Sequence, residues 1–147
     1  MTPRRASAAT SGRTRRQPLI LVVDDYADNR EMYSAYLRFQ GLEVLEAANG
    51  AEALAHAFEH APDLIVMDLS LPGVDGWQAT RLLKADPRTK DVPVIAVTGH
   101  ALAGAPEEAA EAGCDSFLTK PCLPEDLLRE IQRMLDRSRD GGNPKRR

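Results

Sequence analysis

Five short apolar runs recur along this chain, each followed by a polar break and then by a segment of helical period. Leu19 to Val23 opens the series, and Asp28 is the expected N-cap of a helix carrying Met32, Tyr36, Leu37 and Phe39, stopped by Gly41. Glu43 to Ala47 alternates as a half-exposed strand does, and Asn49-Gly50 begins an Ala-rich helix through Ala53, Leu54, Ala57 and Phe58, ended by Pro62. Leu64 to Met67, between Pro62 and Pro72, reads as a strand buried on both faces. A helix from about Gly76 carries Trp77, Leu82 and Leu83, and Pro93 to Val97 is the fourth strand. An Ala/Glu helix from about Pro106 precedes Gly113, Ser116 to Thr119 is the fifth strand, and Leu123 to about Arg137 is the last helix. Its core face is Leu127, Leu128, Ile131, Met134 and Leu135. Strict alternation with short connections calls for a parallel sheet with right-handed crossovers. The expected fold is a doubly wound α/β domain over residues 18–137.

With 147 residues the chain has room for one core, so output is expected through protein–protein contact rather than through an attached domain. The net charge of −3 conceals an asymmetry. Residues 1–17 hold Arg4, Arg5, Arg13, Arg15 and Arg16 without an acid, and residues 138–147 hold Arg139, Lys145, Arg146 and Arg147 against Asp140. Neither segment has hydrophobic periodicity, so both are expected to be disordered basic tails. A solubilising or vestigial role is favoured over contact with nucleic acid or an acidic partner surface. No apolar stretch is long enough for a bilayer, and the N-terminus has no apolar core of a secretory signal. Cys114 and Cys122 fit no zinc spacing and read as unpaired thiols of a reducing cytoplasm.

Chemistry gathers where the strands end. The C-termini of parallel strands open on one edge, the edge at which open α/β sheets hold ligands. Strand one ends in Asp24-Asp25, strand three in Asp68, strand four in Thr98, and strand five in Lys120-Pro121. Clustered carboxylates resist ionisation unless a cation neutralises them. Mg²⁺ suits a few hard oxygen donors shared with a phosphate, and no EF-hand spacing argues for Ca²⁺. The hydroxyl of Thr98 and the ammonium of Lys120 suit the oxygens of a phosphoryl group on Asp68, and positioning plus neutralisation is most of what phosphoryl transfer needs. No Gly-rich phosphate loop is present, so the donor is not expected to be a nucleotide held in the usual way.

Four segments carry a family resemblance: Leu21-Val22-Val23-Asp24-Asp25, Met67 through Gly76, Val97-Thr98-Gly99, and Thr119-Lys120-Pro121. In this order they resemble the receiver domain of two-component response regulators, and Asn29-Arg30 and Thr98 to Leu102 look closest to stand-alone and hybrid-kinase receivers. The resemblance implies a flavodoxin-like sheet of order 2-1-3-4-5. It implies Asp68 as the phosphoacceptor from a phosphohistidine of a histidine kinase or histidine phosphotransfer protein. Asp24, Asp25, Asp68 and the backbone carbonyl of Ser70 would hold Mg²⁺, with Mn²⁺ as a substitute. Thr98 and Phe117 would switch on phosphorylation, Lys120 would bind the phosphoryl group, and Pro121 would follow a cis bond that shapes the loop. A downstream protein would read the face of helix 4, strand 5 and helix 5; a homodimer stays open. Slow loss of the phosphoryl group to water is implied as well. Gly99 and Phe117 depart from the commoner Ala and Tyr.

Other candidates weigh less. His56 and His60 lie one turn apart without an evident third ligand, so a solvated face is expected. Trp77 reads as packing and Cys122 as an inert thiol. The rival functions are a haloacid-dehalogenase-like phosphatase, in which the Asp nucleophile instead follows the first strand, and a receiver-fold scaffold that is never phosphorylated.

Overall fold

In the computed structural model, residues 17–69, 76–99 and 105–139 are described. The strands are β1 (Leu19–Val23), β2 (Glu43–Ala47), β3 (Leu64–Asp68), β4 (Val94–Thr98) and β5 (Ser116–Thr119). The helices are α1 (Ala27–Phe39), α2 (Gly50–His60), α3 (Gly76–Ala85), α4 (Ala105–Ala112) and α5 (Pro124–Arg139). All four strand pairings are parallel, in the order β2-β1-β3-β4-β5. The basic segments expected at 1–17 and 138–147 lie outside the described residues, apart from residue 17 and the last two residues of α5.

Continuous apolar runs go where both faces of a strand are covered. Every residue of β1, β3 and β4 is buried, whereas β2 and β5 at the sheet edges are only partly so. On one face Leu21, Val23, Ile65, Met67, Val94 and Ala96 pack with Ala53 and Ala57 of α2, Ala79 and Leu83 of α3, and Ala109 of α4. On the other Ile20, Val22, Val66, Ile95 and Val97 pack with Tyr33 and Leu37 of α1 and Leu127, Ile131 and Met134 of α5.

Helix α1 differs from the sequence expectation. Its N-cap is Tyr26, without a side-chain cap bond, and Asp28 sits in the first turn, where a carboxylate still favours the positive end of the helix. Tyr33 and Leu37 turn toward the sheet, so Phe39, two residues or about 200° further round, is 85% exposed, and Met32 is 42% exposed. Leu82 on α3 is also exposed. Helix α2 begins as expected: the Asn49 side chain accepts from Glu52 N at 2.8 Å, and Glu52 accepts from Ala48 N at 2.8 Å. At α5 the helix starts at Pro124, where a missing N–H costs nothing, and Leu123 is left exposed just before it.

Candidate functional site

Register places the chemistry. Val23 pairs with Met67, Asp68 with Val97, and Thr98 with Thr119. Asp24, Asp68, Thr98 and Lys120 therefore sit at or one residue beyond paired strand ends, on one edge of the sheet. Ligand oxygens of Asp24, Asp25 and Asp68 all lie within 4.8 Å of one another. Asp24 is 4% and Asp68 3% exposed, while Asp25 faces solvent. Lys120 Nζ reaches across to both buried acids, 3.3 Å from Asp24 Oδ2 and 3.4 Å from Asp68 Oδ2. Burial opposes the Lys120 charge, but Asp68 and Asp24 outweigh it and hold the ammonium's pKa above its usual value. Three carboxylates against one ammonium leave the cluster negative, and a divalent cation with hard oxygen preference fits that donor set.

Backbone hydrogen bonds fix these residues. Asp24 N donates to Ala47 O at 3.0 Å, Leu69 N to Val97 O at 3.1 Å, and Lys120 N to Thr98 O at 2.8 Å. Asp24 Oδ1 accepts from Tyr26 N at 2.9 Å, which anchors one carboxylate oxygen and leaves Oδ2 toward Lys120. The Lys120–Pro121 bond is cis. Thr98 is buried at the end of β4. Phe117 is half-buried against the core beneath α2, α3 and α4. Ser70, like the rest of the loop to residue 75 and residues 100–104, lies outside the described residues. Trp77 packs against the same core as Phe117. Burial, with Asp126, raises the pKa of the Cys122 thiol, and burial pushes Cys114 up to about 11, so both stay protonated at neutral pH.

Three supporting residues make contacts at the site that the sequence reading does not assign. Arg30 donates from Nη1 to Asp24 O at 2.9 Å and from Nε to Glu46 at 3.1 Å, clamping the end of β1 to β2. Tyr33 donates its hydroxyl to Cys122 O at 2.7 Å, tying α1 to the loop after Lys120. Gly76 opens α3 directly against the end of β3: a Cβ there would collide with Asp68 O and lie 2.8 Å from Leu69 Cα. Arg30 sits four residues before Ser34 on a face the sequence leaves ambiguous, and the Tyr33 and Gly76 contacts join segments that no local pattern links.

Comparison with known proteins gives a consistent picture. The family described as response regulator receiver domain matches residues 20–132. The chain is similar to the polar-differentiation response regulator DivK of Brucella anthropi, 39% identical over 116 residues, covering 79% of this chain and 94% of that protein. It is also similar to the phosphate regulon transcriptional regulatory protein PhoB of Pseudomonas aeruginosa, 38% identical over 122 residues, 83% of this chain but 53% of that protein. Among solved structures, a CheY-like receiver domain protein from Methanospirillum hungatei superposes with a TM-score of 0.79 at 32% identity, over 86% of this chain and 99% of that one. The receiver domain of sensor histidine kinase PA1611 from Pseudomonas aeruginosa, described with magnesium in its active-site cleft, gives a TM-score of 0.76 at 37% identity, over 82% and 98%.

Proposed function

The chain belongs to the response-regulator receiver family, and from that premise we propose that it is a phosphorylation switch in which Asp68 takes the phosphoryl group. The observation that carries this reading is Lys120 spanning Asp24 and Asp68 at 3.3 and 3.4 Å within the three-aspartate cluster. A carboxylate oxygen of Asp68 attacks the phosphorus of a phosphohistidine on a histidine kinase or histidine phosphotransfer protein. The P–O bond forms as the P–N bond breaks, and the leaving imidazole keeps the electron pair and takes a proton from solvent. Lys120 exchanges its carboxylate contacts for one phosphoryl oxygen, and the Thr98 hydroxyl donates to another.

Asp24, Asp25 and Asp68 would hold Mg²⁺ or Mn²⁺, with the Ser70 carbonyl as a further ligand. When bound, the ion offsets the charge of carboxylates and phosphoryl oxygens. Asp24 is oriented for this by Tyr26 N and Arg30, which hold its side chain and carbonyl. The new charge biases Thr98 and Phe117 toward one of two packings, and a partner protein reads the altered face of α4, β5 and α5. Pro121 shapes the loop that presents Lys120. Phosphorylation from small donors and slow self-dephosphorylation belong to the same reading, as do a folded unit over residues 18–137, basic tails at 1–17 and 138–147, and a cytoplasmic location. Among the described residues no helix is long and apolar enough to cross a membrane.

The haloacid-dehalogenase alternative is not favoured by the family match, nor by the chain order, in which the adjacent acids Asp24-Asp25 follow β1 and the proposed nucleophile Asp68 ends β3. The test is labelling with acetyl phosphate and Mg²⁺, comparing wild type with Asp68→Asn. Label is expected on wild type alone. Equal labelling removes Asp68 from its role, and no labelling of either favours a scaffold.

A further inference from the structure

Helix α2 carries a second set of ligand-type side chains, unused by the phosphoryl chemistry. The sequence pairs His56 with His60 and finds no third ligand; the structure supplies it in Glu59. Ligand atoms of His56, Glu59 and His60 all lie within 4.8 Å of one another. His60 Nε2 is 3.7 Å from Glu59 Oε1, and the two imidazole centroids are 5.8 Å apart. Separations of three and four residues bring side chains together on one helix face.

We propose that His56, Glu59 and His60 form a binding site for a divalent transition-metal ion of the Zn²⁺, Ni²⁺ or Cu²⁺ class. Two imidazoles and one carboxylate are a donor set that Zn²⁺ accepts with an open fourth position. Imidazole also selects these ions over Mg²⁺, which keeps to oxygen donors. Position adds to chemistry. Helix α2 ends at His60, with Ala61 in the left-handed region at φ 48°. Terminal carbonyls and the negative end of the helix dipole favour a cation there.

The ligands are available. His56 Nδ1 is buried and has no hydrogen-bond partner among the described residues. The Glu59 and His60 side chains are 70% and 41% exposed, and the pairing between them is a surface contact of little strength. Metal–ligand bonds of about 2.0–2.2 Å need donor atoms roughly 3–4 Å apart, a closure that rotation of the exposed Glu59 and His60 side chains supplies. The site is separate from the aspartate cluster. Helix α2 starts after the C-terminal end of β2 and ends before β3 begins, so His60 lies toward the opposite edge of the sheet from Asp68.

The test uses the full chain with saturating Mg²⁺ to occupy the acidic cluster. Calorimetric titration with Zn²⁺ or Ni²⁺ is expected to show one ion per chain, and the EPR spectrum with Cu²⁺ to show hyperfine coupling to two imidazole nitrogens. His60→Ala is expected to weaken binding roughly tenfold or more, and Glu59→Gln to weaken it less, with Mg²⁺-dependent labelling of Asp68 unchanged in both. Undiminished affinity in His60→Ala, or a Cu²⁺ spectrum from oxygen donors alone, overturns the site. Both positions are exposed, so neither variant depends on refolding the core.

Discussion

Lys84 and Lys120 both meet aspartate at an edge of the same sheet, Lys84 at the N-terminal ends of β4 and β5 and Lys120 at the C-terminal ends of β1 and β3. Lys84 Nζ donates to Asp115 Oδ2 at 2.9 Å, Val92 O at 2.8 Å and Lys90 O at 3.2 Å, and Asp115 Oδ2 also accepts from Val94 N at 2.8 Å. An ammonium has three protons, and here each has an acceptor. Lys120 instead stands 3.3 and 3.4 Å from two carboxylates, with a third acid beside them. The first arrangement is closed and holds loop to strand. The second sets three carboxylates against one ammonium, an excess of negative charge that a cation would offset. Two ion pairs of the same residue types thus differ in what their geometry leaves over.

Exchanging each lysine for methionine is the sharpest way to break the comparison. Lys120→Met is expected to lower the labelling rate of Asp68 by about 10²-fold, the scale of losing a charge-stabilising donor. Folding stability in Mg²⁺ should stay near wild type, because the cation neutralises the acids that Lys120 leaves. Lys84→Met is expected to do the reverse. It strands Asp115 and two backbone carbonyls, costing about 1–3 kcal/mol in urea denaturation after allowance for partial exposure, with labelling intact. If both variants lose stability equally while labelling persists in both, the two sites are alike and the distinction fails.

Gly76 refines it further. The residue packs against the backbone of the strand end that presents Asp68, where an added Cβ would lie 2.8 Å from Leu69 Cα. Gly76→Ala is expected to cost about 1–3 kcal/mol through overpacking and to slow labelling as well, because the collision displaces Asp68. Gly113 lies beside the closed site instead, at φ 105°, with a Cβ position 2.7 Å from Lys84 Cγ. Gly113→Ala should cost stability alone. Denaturation midpoints and labelling rates measured on both variants separate the two edges.

The sheet and the edge that gathers the candidate site were legible in the sequence because strands buried on both faces are written as unbroken apolar runs. Their ends announce themselves in Asp24, Asp68 and Thr98. Helix α1 was less legible. Met32, Tyr36, Leu37 and Phe39 admit overlapping stripes, and only packing against the sheet and α5 selects the one through Tyr33 and Leu37. The Lys84–Asp115 pair spans 31 positions and Tyr33–Cys122 spans 89, so neither leaves a local pattern. Gly76 reads as the start of a helix until the distance to Leu69 is known. Glu59 was in plain view beside His60, but one-turn histidine spacing draws attention past it.

Tyr33 gives the smallest effect and bears on how the open site is braced. Its hydroxyl holds Cys122 O at 2.7 Å, two residues beyond Lys120. Burial, then the Cys122 and Asp24 charges, pushes its pKa from 10.0 up to about 12. Because the folded value is the higher one, the unfolded chain loses this proton first. The contribution is therefore complete below pH 10 and is lost as pH rises through about 12. Tyr33→Phe removes both the bond and the titrating group. It is expected to cost about 0.5–1.5 kcal/mol at pH 8, and the gap from wild type should narrow at pH 11.5. A gap that stays constant from pH 8 to 11.5 would show that the hydroxyl does not brace the Lys120 loop through its proton.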